Sequence, residues 1–264
     1  MKKLLSVAII TFMTVALCYG QGEIDEQKRA FYRHERTFGL MLNTDGYGLS
    51  YREGRYIDFR NTNLYEIDLG ILNHPRELKL QNPWYPSGTS FIFGKLNSAF
   101  FLRGGVGKRY ELFNKEDLGG VAIRYFFTAG PSLALMKPIY YKVLYPATPT
   151  SFYLKEEKFE ESIHHPYDIY SRASFFKGLK ETRIIPGAYL KGGFNFEFSK
   201  NDRAVHTIEL GGVINAYLKQ IEIMATEDNK AVFFSLFISY RMGLIIDPFD
   251  PQSNRIATIF IRKR

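Results

Sequence analysis

Cysteine is almost absent from this chain, because Cys18 is the single one among 264 residues. It ends a short apolar run, residues 4–17, which follows two lysines. A basic start, a short apolar stretch and small residues before a polar segment indicate a secretory signal peptide. We expect cleavage after Gly20, which makes residues 1–20 the signal and leaves a mature chain without a disulfide. Lipidation at Cys18 is the alternative; Leu17 disfavours it, since a small residue normally precedes a lipidated cysteine.

Long apolar runs are also missing after this segment. No later stretch approaches the roughly 18 continuous apolar residues that indicate a membrane-spanning helix. Aromatic residues nevertheless make up 16% of the chain, although the mean hydropathy is slightly negative at −0.19. The sequence therefore excludes a helical membrane protein, and its apolar residues must be distributed in another pattern.

Catalytic motifs are a third absence. The chain contains no Walker loop, no His-Glu-x-x-His, no cysteine pair and no Gly-x-Ser-x-Gly elbow. The glycines of residues 104–108 resemble a phosphate loop, but they alternate with larger residues and are better explained as relief of crowding in a tilted strand. We expect a protein that is not an enzyme and that binds no cofactor or metal.

The net charge of +8 does not indicate a nucleic-acid partner. Basic residues form no clustered stripe interleaved with stacking aromatics, and an exported protein rarely meets nucleic acid. Attraction to anionic lipid head groups is the better interpretation. The expected partners are outer-membrane lipids and, as a further option, other outer-membrane or periplasmic proteins.

What the sequence does contain is a two-residue period. Residues 205–218 place Ile208 and Leu210 on one face, and Glu209 and Asn215 on the other. Such alternation predicts a strand that is apolar on one side and polar on the other. The same pattern occurs in seven further segments: 38–42, 47–52, 65–71, 99–112, 121–137, 183–199 and 234–244.

These eight segments predict an all-β protein, an antiparallel up-and-down transmembrane β-barrel over residues 37–247 with long extracellular loops. Several exceed the usual soluble strand of about 5–6 residues and suit a tilted membrane crossing of about 9–11. Residues 21–36 would precede the barrel in the periplasm, and residues 248–264 would follow it there. A barrel of ten strands is the alternative, formed if residues 76–97 or 255–263 contribute strands.

The connections fit an alternation of short periplasmic turns and longer outer loops. The predicted turns are residues 60–63, 114–118 and 200–203. The predicted outer loops are residues 44–46, 74–97, 144–182 and 226–230. Within the longest loop, residues 169–180 have apolar residues at helical spacing, so we expect a helix there, either at the head-group boundary or over the barrel mouth.

The polar faces of the strands carry charges of both signs. A soluble barrel would turn these faces to water and crowd many Phe and Tyr side chains into a narrow lumen. With the apolar faces turned to lipid, the charges instead meet inside, where eight strands leave room only for side chains. The predicted lumen network comprises Arg52, Glu66, Asp68, Arg103, Arg124, Lys191, Glu197, Glu209 and Arg241. We expect a salt-bridged interior and not an open pore.

Histidines provide the remaining candidates for chemistry. His164 and His165 are adjacent and precede Asp168, but neighbouring side chains of an extended segment point in opposite directions, which favours a polar loop over a metal site. His74 lies where a lipid-modifying enzyme would place a general base, yet no serine pairs with it in the sequence. His206 is expected near the periplasmic rim, facing outward.

Three stretches, residues 37–48, 93–97 and 135–141, resemble a family of uncharacterised outer-membrane barrel proteins from Bacteroidetes-type bacteria. The wider architecture is similar to small OmpA-type and OmpX-type barrels, an analogy of fold that implies no activity. Together these observations predict a protein of the bacterial cell outer membrane. We expect a non-enzymatic structural or accessory subunit of an outer-membrane assembly, secretion or surface complex. A lipid-modifying enzyme and a small passive channel are the alternatives.

Overall fold

The computed structural model describes residues 34–58, 60–85, 88–115, 120–148, 151–160, 164–199 and 204–246. The predicted signal peptide, most of the segment that follows it and the predicted C-terminal tail lie outside these residues. Among the described residues, no helix has the length and apolarity needed to cross a membrane.

Nearly all regular secondary structure in the described part of the chain is β-strand. In chain order they are β1 (His34–Asn43), β2 (Gly46–Tyr56), β3 (Asn61–Leu72), β4 (Lys79–Leu80), β5 (Phe91–Ile92), β6 (Asn97–Phe113), β7 (Ala122–Pro138), β8 (Tyr140–Thr148), β9 (Ser151–Lys158), β10 (Ile169–Arg172), β11 (Arg183–Glu197), β12 (Ala204–Tyr217) and β13 (Val232–Ile246). A single 3₁₀ turn, η1 (Leu179–Glu181), precedes β11.

Eight of these strands form a closed antiparallel barrel in the order β1, β2, β3, β6, β7, β11, β12 and β13, and β13 pairs back with β1. They are the eight strands that the alternation predicts, so the fold class is confirmed. Strand β1 begins at His34, three residues before the predicted start of the barrel, and β13 ends at Ile246. The ten-stranded alternative is wrong for residues 76–97, because among the described residues β4 and β5 pair only with each other. Residues 255–263 lie outside the described residues.

The apolar faces of the barrel strands point outward. Leu40 is 58% exposed and Phe234 is 67% exposed, whereas Asp68 and Glu209 on the opposite faces are 0% exposed. A soluble barrel has the reverse arrangement, because water must cover its polar side chains. An outer wall of continuous exposed apolar residues is the arrangement of a barrel whose surroundings are lipid.

The two ends of the barrel differ. At the turn end, β2 connects to β3, β6 to β7 and β11 to β12 by short segments, and β1 begins beside the end of β13. At the loop end, residues 73–96, 139–182 and 218–231 form long connections, which we call the loop cap. The cap is folded: Leu96 N donates to Ile223 O (2.9 Å), and Ile139 N donates to Leu96 O (2.9 Å). All three long loops thus pack into one layer.

The helix expected over residues 169–180 is wrong. Strand β10 occupies its first third and pairs with β8, with Ile169 and Ser171 buried and Arg172 exposed. Only η1 is helical, and it begins after Gly178, whose φ of 84° lies in the left-handed region. Over so short a segment, the spacing of the apolar residues is compatible with either a helix or a β-strand. Pairing with the neighbouring strand β8 favours the β-strand.

Candidate functional site: the charged lumen and the loop cap

All nine charged residues predicted for the lumen occupy inward positions of the barrel strands, and all are buried. They come from seven of the eight barrel strands, namely β2, β3, β6, β7, β11, β12 and β13. Two-residue alternation places them inward, and the narrow interior of an eight-stranded barrel brings opposite walls within reach.

Arg52 is the centre of the main cluster. Its Nε donates to Glu66 Oε2 at 2.7 Å, and its Nη1 pairs with Glu209 from the far side of the lumen. Lys191 Nζ donates to Glu66 Oε1 at 2.7 Å and to Asp68 Oδ2 at 3.0 Å. Glu66 therefore bridges two cations, and the cluster links four strands by charge-assisted hydrogen bonds.

Arg103 and Arg241 lie at the edge of this cluster. Arg241 Nη1 is 3.7 Å from Glu209 Oε2 and donates to Ser50 Oγ at 2.8 Å. Arg103 Nη1 is 4.0 Å from Asp68 Oδ2, and its guanidinium lies 3.8 Å from the centre of the Phe101 ring. Aromatic faces thus contribute to holding the buried cations.

Arg124 and Glu197 belong to a separate cluster nearer the turn end. Arg124 pairs with Glu197 and donates from Nε to Glu111 Oε2 at 2.9 Å. Lys115 Nζ donates to Glu197 Oε1 at 2.8 Å. The nine predicted residues therefore form two groups and not one network.

Sequence reasoning missed a third buried pair, in which Arg109 Nη2 donates to Glu35 Oε2 at 2.9 Å. Arg109 and Glu111 lie on the predicted inward face of residues 99–112. This position could have identified both as charged residues of the lumen. Glu35 was missed because the predicted barrel begins at residue 37, after it.

Small residues lie opposite large ones in the lumen. A Cβ built on Gly70 would overlap the Phe101 ring, and one built on Gly54 would lie 2.7 Å from Glu35 Cγ. Inward glycines therefore make the space that the long side chains occupy. Side chains fill this interior, as in other small barrels.

An apolar cluster, which the alternation did not predict, completes the interior. It contains inward residues of the barrel and residues of the loop 218–231, among them Met41, Phe101, Phe126, Met136, Phe237, Ile221 and Ile223. Phe126 was missed because it lies between two outward-facing aromatic residues, so residues 125–127 look like an unbroken apolar run. Through this cluster the loop cap is anchored to the barrel interior.

The loop cap has a core of its own. Phe91, Ile139, Val143, Phe159 and Ile169 are buried together with Tyr141. The Tyr141 hydroxyl hydrogen bonds to Ile92 O (2.7 Å) and lies 2.8 Å from Lys95 O. Burial raises the pKa of Tyr141. The cap therefore has a packed apolar core in which the buried Tyr141 hydroxyl is satisfied by backbone carbonyls.

The β8–β9 hairpin is the most exposed part of the cap. Among the described residues, β9 pairs only with β8, and so it is the edge of the three-stranded sheet β10–β8–β9. Phe152, Tyr153 and Leu154 are exposed on it. An exposed edge with large apolar side chains is unusual, because natural proteins normally protect such edges.

Glu157 fixes the base of this hairpin. Burial opposes ionisation of its carboxyl, but hydrogen bonds from Tyr145, His164 and Lys155 outweigh burial and lower its pKa from 4.5 to about 2. Glu160 N donates to His164 Nδ1 at 2.9 Å, which leaves His164 Nε2, 2.9 Å from Glu157 Oε1, as the donor to that carboxylate.

The candidate histidines do not form a catalytic or metal-binding group in the described part of the chain. His164 is buried and His165 is exposed, and no three potential metal ligands cluster among the described residues. His74 Nδ1 accepts a hydrogen bond from Arg76 N at 3.2 Å. His206 faces outward near the turn end, with Nδ1 2.9 Å from the Tyr240 hydroxyl.

Comparisons with known proteins give similarity of fold only. No protein-family model matches the chain, and no curated protein matches it. The N-terminal β-barrel domain of Pseudomonas aeruginosa OprF shares 9% identity over 83% of this chain and 100% of that domain, with a TM-score of 0.34. Neisserial surface protein A shares 10% identity over 81% of this chain and 96% of its own, with a TM-score of 0.35.

A third similar structure is Ail, the attachment invasion locus protein of Yersinia pestis, in complex with the heparin analogue sucrose octasulfate. It shares 6% identity over 81% of this chain and 97% of its own, with a TM-score of 0.34. At these identities and TM-scores, no role of a residue in the three similar proteins is assigned to a residue of this chain. The resemblance to a Bacteroidetes-type family stays a prediction.

Proposed function

We propose that this chain is an integral protein of the bacterial outer membrane and acts as a non-enzymatic structural or accessory subunit of an assembly, secretion or surface complex. The apolar outer wall and the buried charges support the membrane location, because only a lipid surrounding matches both. Short connections at the turn end would then face the periplasm, and the loop cap would face the outside.

The observation that carries the accessory role is the combination of a filled barrel with a packed cap that presents an exposed edge strand. Among the described residues, side chains such as Arg52, Glu66 and Lys191 meet by hydrogen bonds inside the lumen, an arrangement that favours a plugged barrel over a passive channel. Its distinctive surface is the β8–β9 hairpin. A membrane-anchored platform that displays a partner-binding edge fits these features best.

Strand β9 has the properties of a docking strand. Its open edge offers backbone N–H and C=O groups to an added strand, and Phe152 and Leu154 offer apolar contact. Strand addition at a sheet edge obtains affinity from the backbone and specificity from alternate side chains. We expect a protein partner that contributes an extended segment.

The test is a mild-detergent pull-down of the tagged full chain from fractionated native membranes, read by mass spectrometry. The wild type is expected in the outer-membrane fraction with a stoichiometric partner. Phe152→Ser combined with Leu154→Ser should lose the partner. Leu78→Ser is the matched control, because Leu78 is an exposed leucine elsewhere in the cap. Recovery of the wild type alone contradicts the accessory role, and recovery in the soluble fraction contradicts the membrane location.

Two measurements separate this proposal from its alternatives. Planar-bilayer recordings of the wild type are expected to show no reproducible single-channel steps, and such steps would favour a passive channel. Deletion of the gene is expected to leave the lipid A and phospholipid profile unchanged, and a changed profile would favour a lipid-modifying enzyme.

A further inference from the structure

The main cluster of the lumen, which is centred on Arg52, contains more cations than carboxylates. Its members are joined by ion pairs of 4.0 Å or less, and each is at most 2% exposed. They are four cations and three carboxylates: Arg52, Arg103, Lys191 and Arg241 against Glu66, Asp68 and Glu209. Within the described part of the chain no other charged side chain pairs with them, so the cluster carries one net positive charge. Protonation of a carboxylate would only increase this excess.

The buried charges nearer the turn end are balanced. Among the described residues they are three cations and three carboxylates, in the pairs Arg109–Glu35, Arg124–Glu111, Arg124–Glu197 and Lys115–Glu197. The same barrel interior therefore holds one set of charges that neutralise each other and one set that do not. The excess of positive charge is a property of the main cluster.

Arg103 is the cation of the main cluster with the weakest compensation. Its Nη1 is 4.0 Å from Asp68 Oδ2, and that oxygen already accepts a hydrogen bond from Lys191 Nζ at 3.0 Å. No group among the described residues accepts a hydrogen bond from Arg103 Nε, Nη1 or Nη2. Arginine cannot lose its proton in a protein, and a buried cation without acceptors is strongly unfavourable. The guanidinium therefore requires an acceptor that the described side chains do not supply.

The surroundings of Arg103 supply aromatic faces and little negative charge. The guanidinium lies 3.8 Å from the centre of the Phe101 ring and 5.8 Å from that of Tyr189. These rings attract the charge but offer no oxygen acceptor to the N–H groups. Asp45 hydrogen bonds with Ser235 and forms no ion pair with a described residue, so it does not neutralise Arg103 at contact distance.

We propose that Arg103 binds a small inorganic anion, such as chloride, inside the lumen. An anion accepts hydrogen bonds from the guanidinium and also supplies the negative charge that the main cluster lacks. Water would accept the same hydrogen bonds but would leave the charge in place. A Cβ on Gly105, two residues along the same inward face, would lie 2.4 Å from the Tyr189 hydroxyl. The interior beside Arg103 is therefore narrow, which favours a monatomic anion over a phosphate or a carboxylate.

The experiment measures urea unfolding of the full chain in phosphatidylcholine vesicles, in sodium chloride and in sodium gluconate of equal ionic strength. Gluconate has the same charge as chloride but is much larger. The wild type should unfold at a higher urea concentration in chloride. Once the site is saturated, each tenfold rise in chloride should lower the unfolding equilibrium constant about tenfold, because unfolding releases one anion. Sodium bromide should act like sodium chloride.

Arg103→Met tests the site directly, because it removes the excess cation and keeps a long side chain. The variant should show no difference between chloride and gluconate, and in gluconate it should be at least as stable as the wild type. Arg109→Met is the matched control, since it removes a buried arginine that is paired with Glu35. The control should be less stable than the wild type in both salts and should keep the chloride effect.

Equal stability of the wild type in the two salts, or a chloride effect that persists in Arg103→Met, overturns the inference. If Arg103→Met does not fold, crystals of the wild type grown in sodium bromide decide. A bromide peak in the anomalous scattering beside the Arg103 guanidinium supports the site, and its absence there contradicts it. These measurements use the purified barrel, so their failure leaves the accessory role and the membrane location standing.

Discussion

Replacement of Glu66 by Gln provides the sharpest test of how the lumen is held together. The Glu66 carboxylate is buried and accepts hydrogen bonds from Arg52 Nε at 2.7 Å and from Lys191 Nζ at 2.7 Å. The amide keeps the shape of the side chain but removes its charge. Two buried cations then lose a shared partner, although Arg52 retains Glu209 and Lys191 retains Asp68.

The expected cost follows from the burial of the cluster. Removal of one member of a buried ion pair costs about 3–5 kcal/mol, because it leaves an uncompensated charge in a low-dielectric interior. An exposed pair contributes about 0–1 kcal/mol. Glu53→Gln is the control, because Glu53 pairs with the exposed Arg55 at 3.0 Å. We therefore expect a loss of about 3–5 kcal/mol for Glu66→Gln and less than about 1 kcal/mol for the control.

The assay is urea unfolding of the barrel in phospholipid vesicles, followed by far-ultraviolet circular dichroism and by the mobility of unheated samples in gels. Tryptophan fluorescence is unsuitable, because Trp84, the single tryptophan, lies in the loop cap and is largely exposed. Adding Lys191→Met to Glu66→Gln should recover part of the loss, since it removes a buried cation that has lost one of its two carboxylate partners. A Glu66→Gln variant as stable as Glu53→Gln would refute the paired arrangement of the lumen.

Three further results are expected. Gly70→Val should destabilise the barrel by about 1–3 kcal/mol, because a Cβ there would overlap the Phe101 ring and would lie 2.5 Å from the backbone O of Tyr47. Adding Phe101→Leu should recover only part of the stability in the same urea assay, since the Tyr47 carbonyl stays in place; no recovery at all would contradict the fit between Gly70 and Phe101. The pKa of Glu157 falls from 4.5 to about 2 on folding, so its carboxylate stabilises the β8–β9 hairpin fully above pH 4.5 and loses this effect as the pH falls towards 2. Proteolysis of the hairpin should therefore become faster over this pH range, and an unchanged rate would contradict the role of Glu157. Tyr141→Phe removes hydrogen bonding to Ile92 O and Lys95 O. Limited proteolysis should therefore cleave the loop cap of the variant faster than that of the wild type, while the barrel of both resists. Equal cleavage rates in the variant and the wild type would show that other contacts hold the cap.

The eight barrel strands were predictable from their two-residue period. This period arises because one face of each barrel strand forms the apolar outer wall and the other face lines the charged lumen. Residues 205–217 show this: the apolar residues from Ile208 to Ala216 that the period assigns to one face lie on the outer wall in β12, and Glu209 lies inside. The loop cap was less predictable. Residues 169–172 form β10 because they pair with the edge of β8. The sequence of the segment alone does not indicate that this edge is available.

The amino-acid sequence by itself determined which side chains face inward, because alternation along an extended backbone assigns each residue to one of two faces. It therefore determined that Arg52, Glu66, Lys191 and Glu209 enter the lumen. Only the tertiary structure decided which charges meet, since Arg52 and Glu209 are 157 positions apart and approach each other across the lumen. That approach depends on closure of β1 against β13 and on the register of every strand between them, and both are properties of the whole barrel.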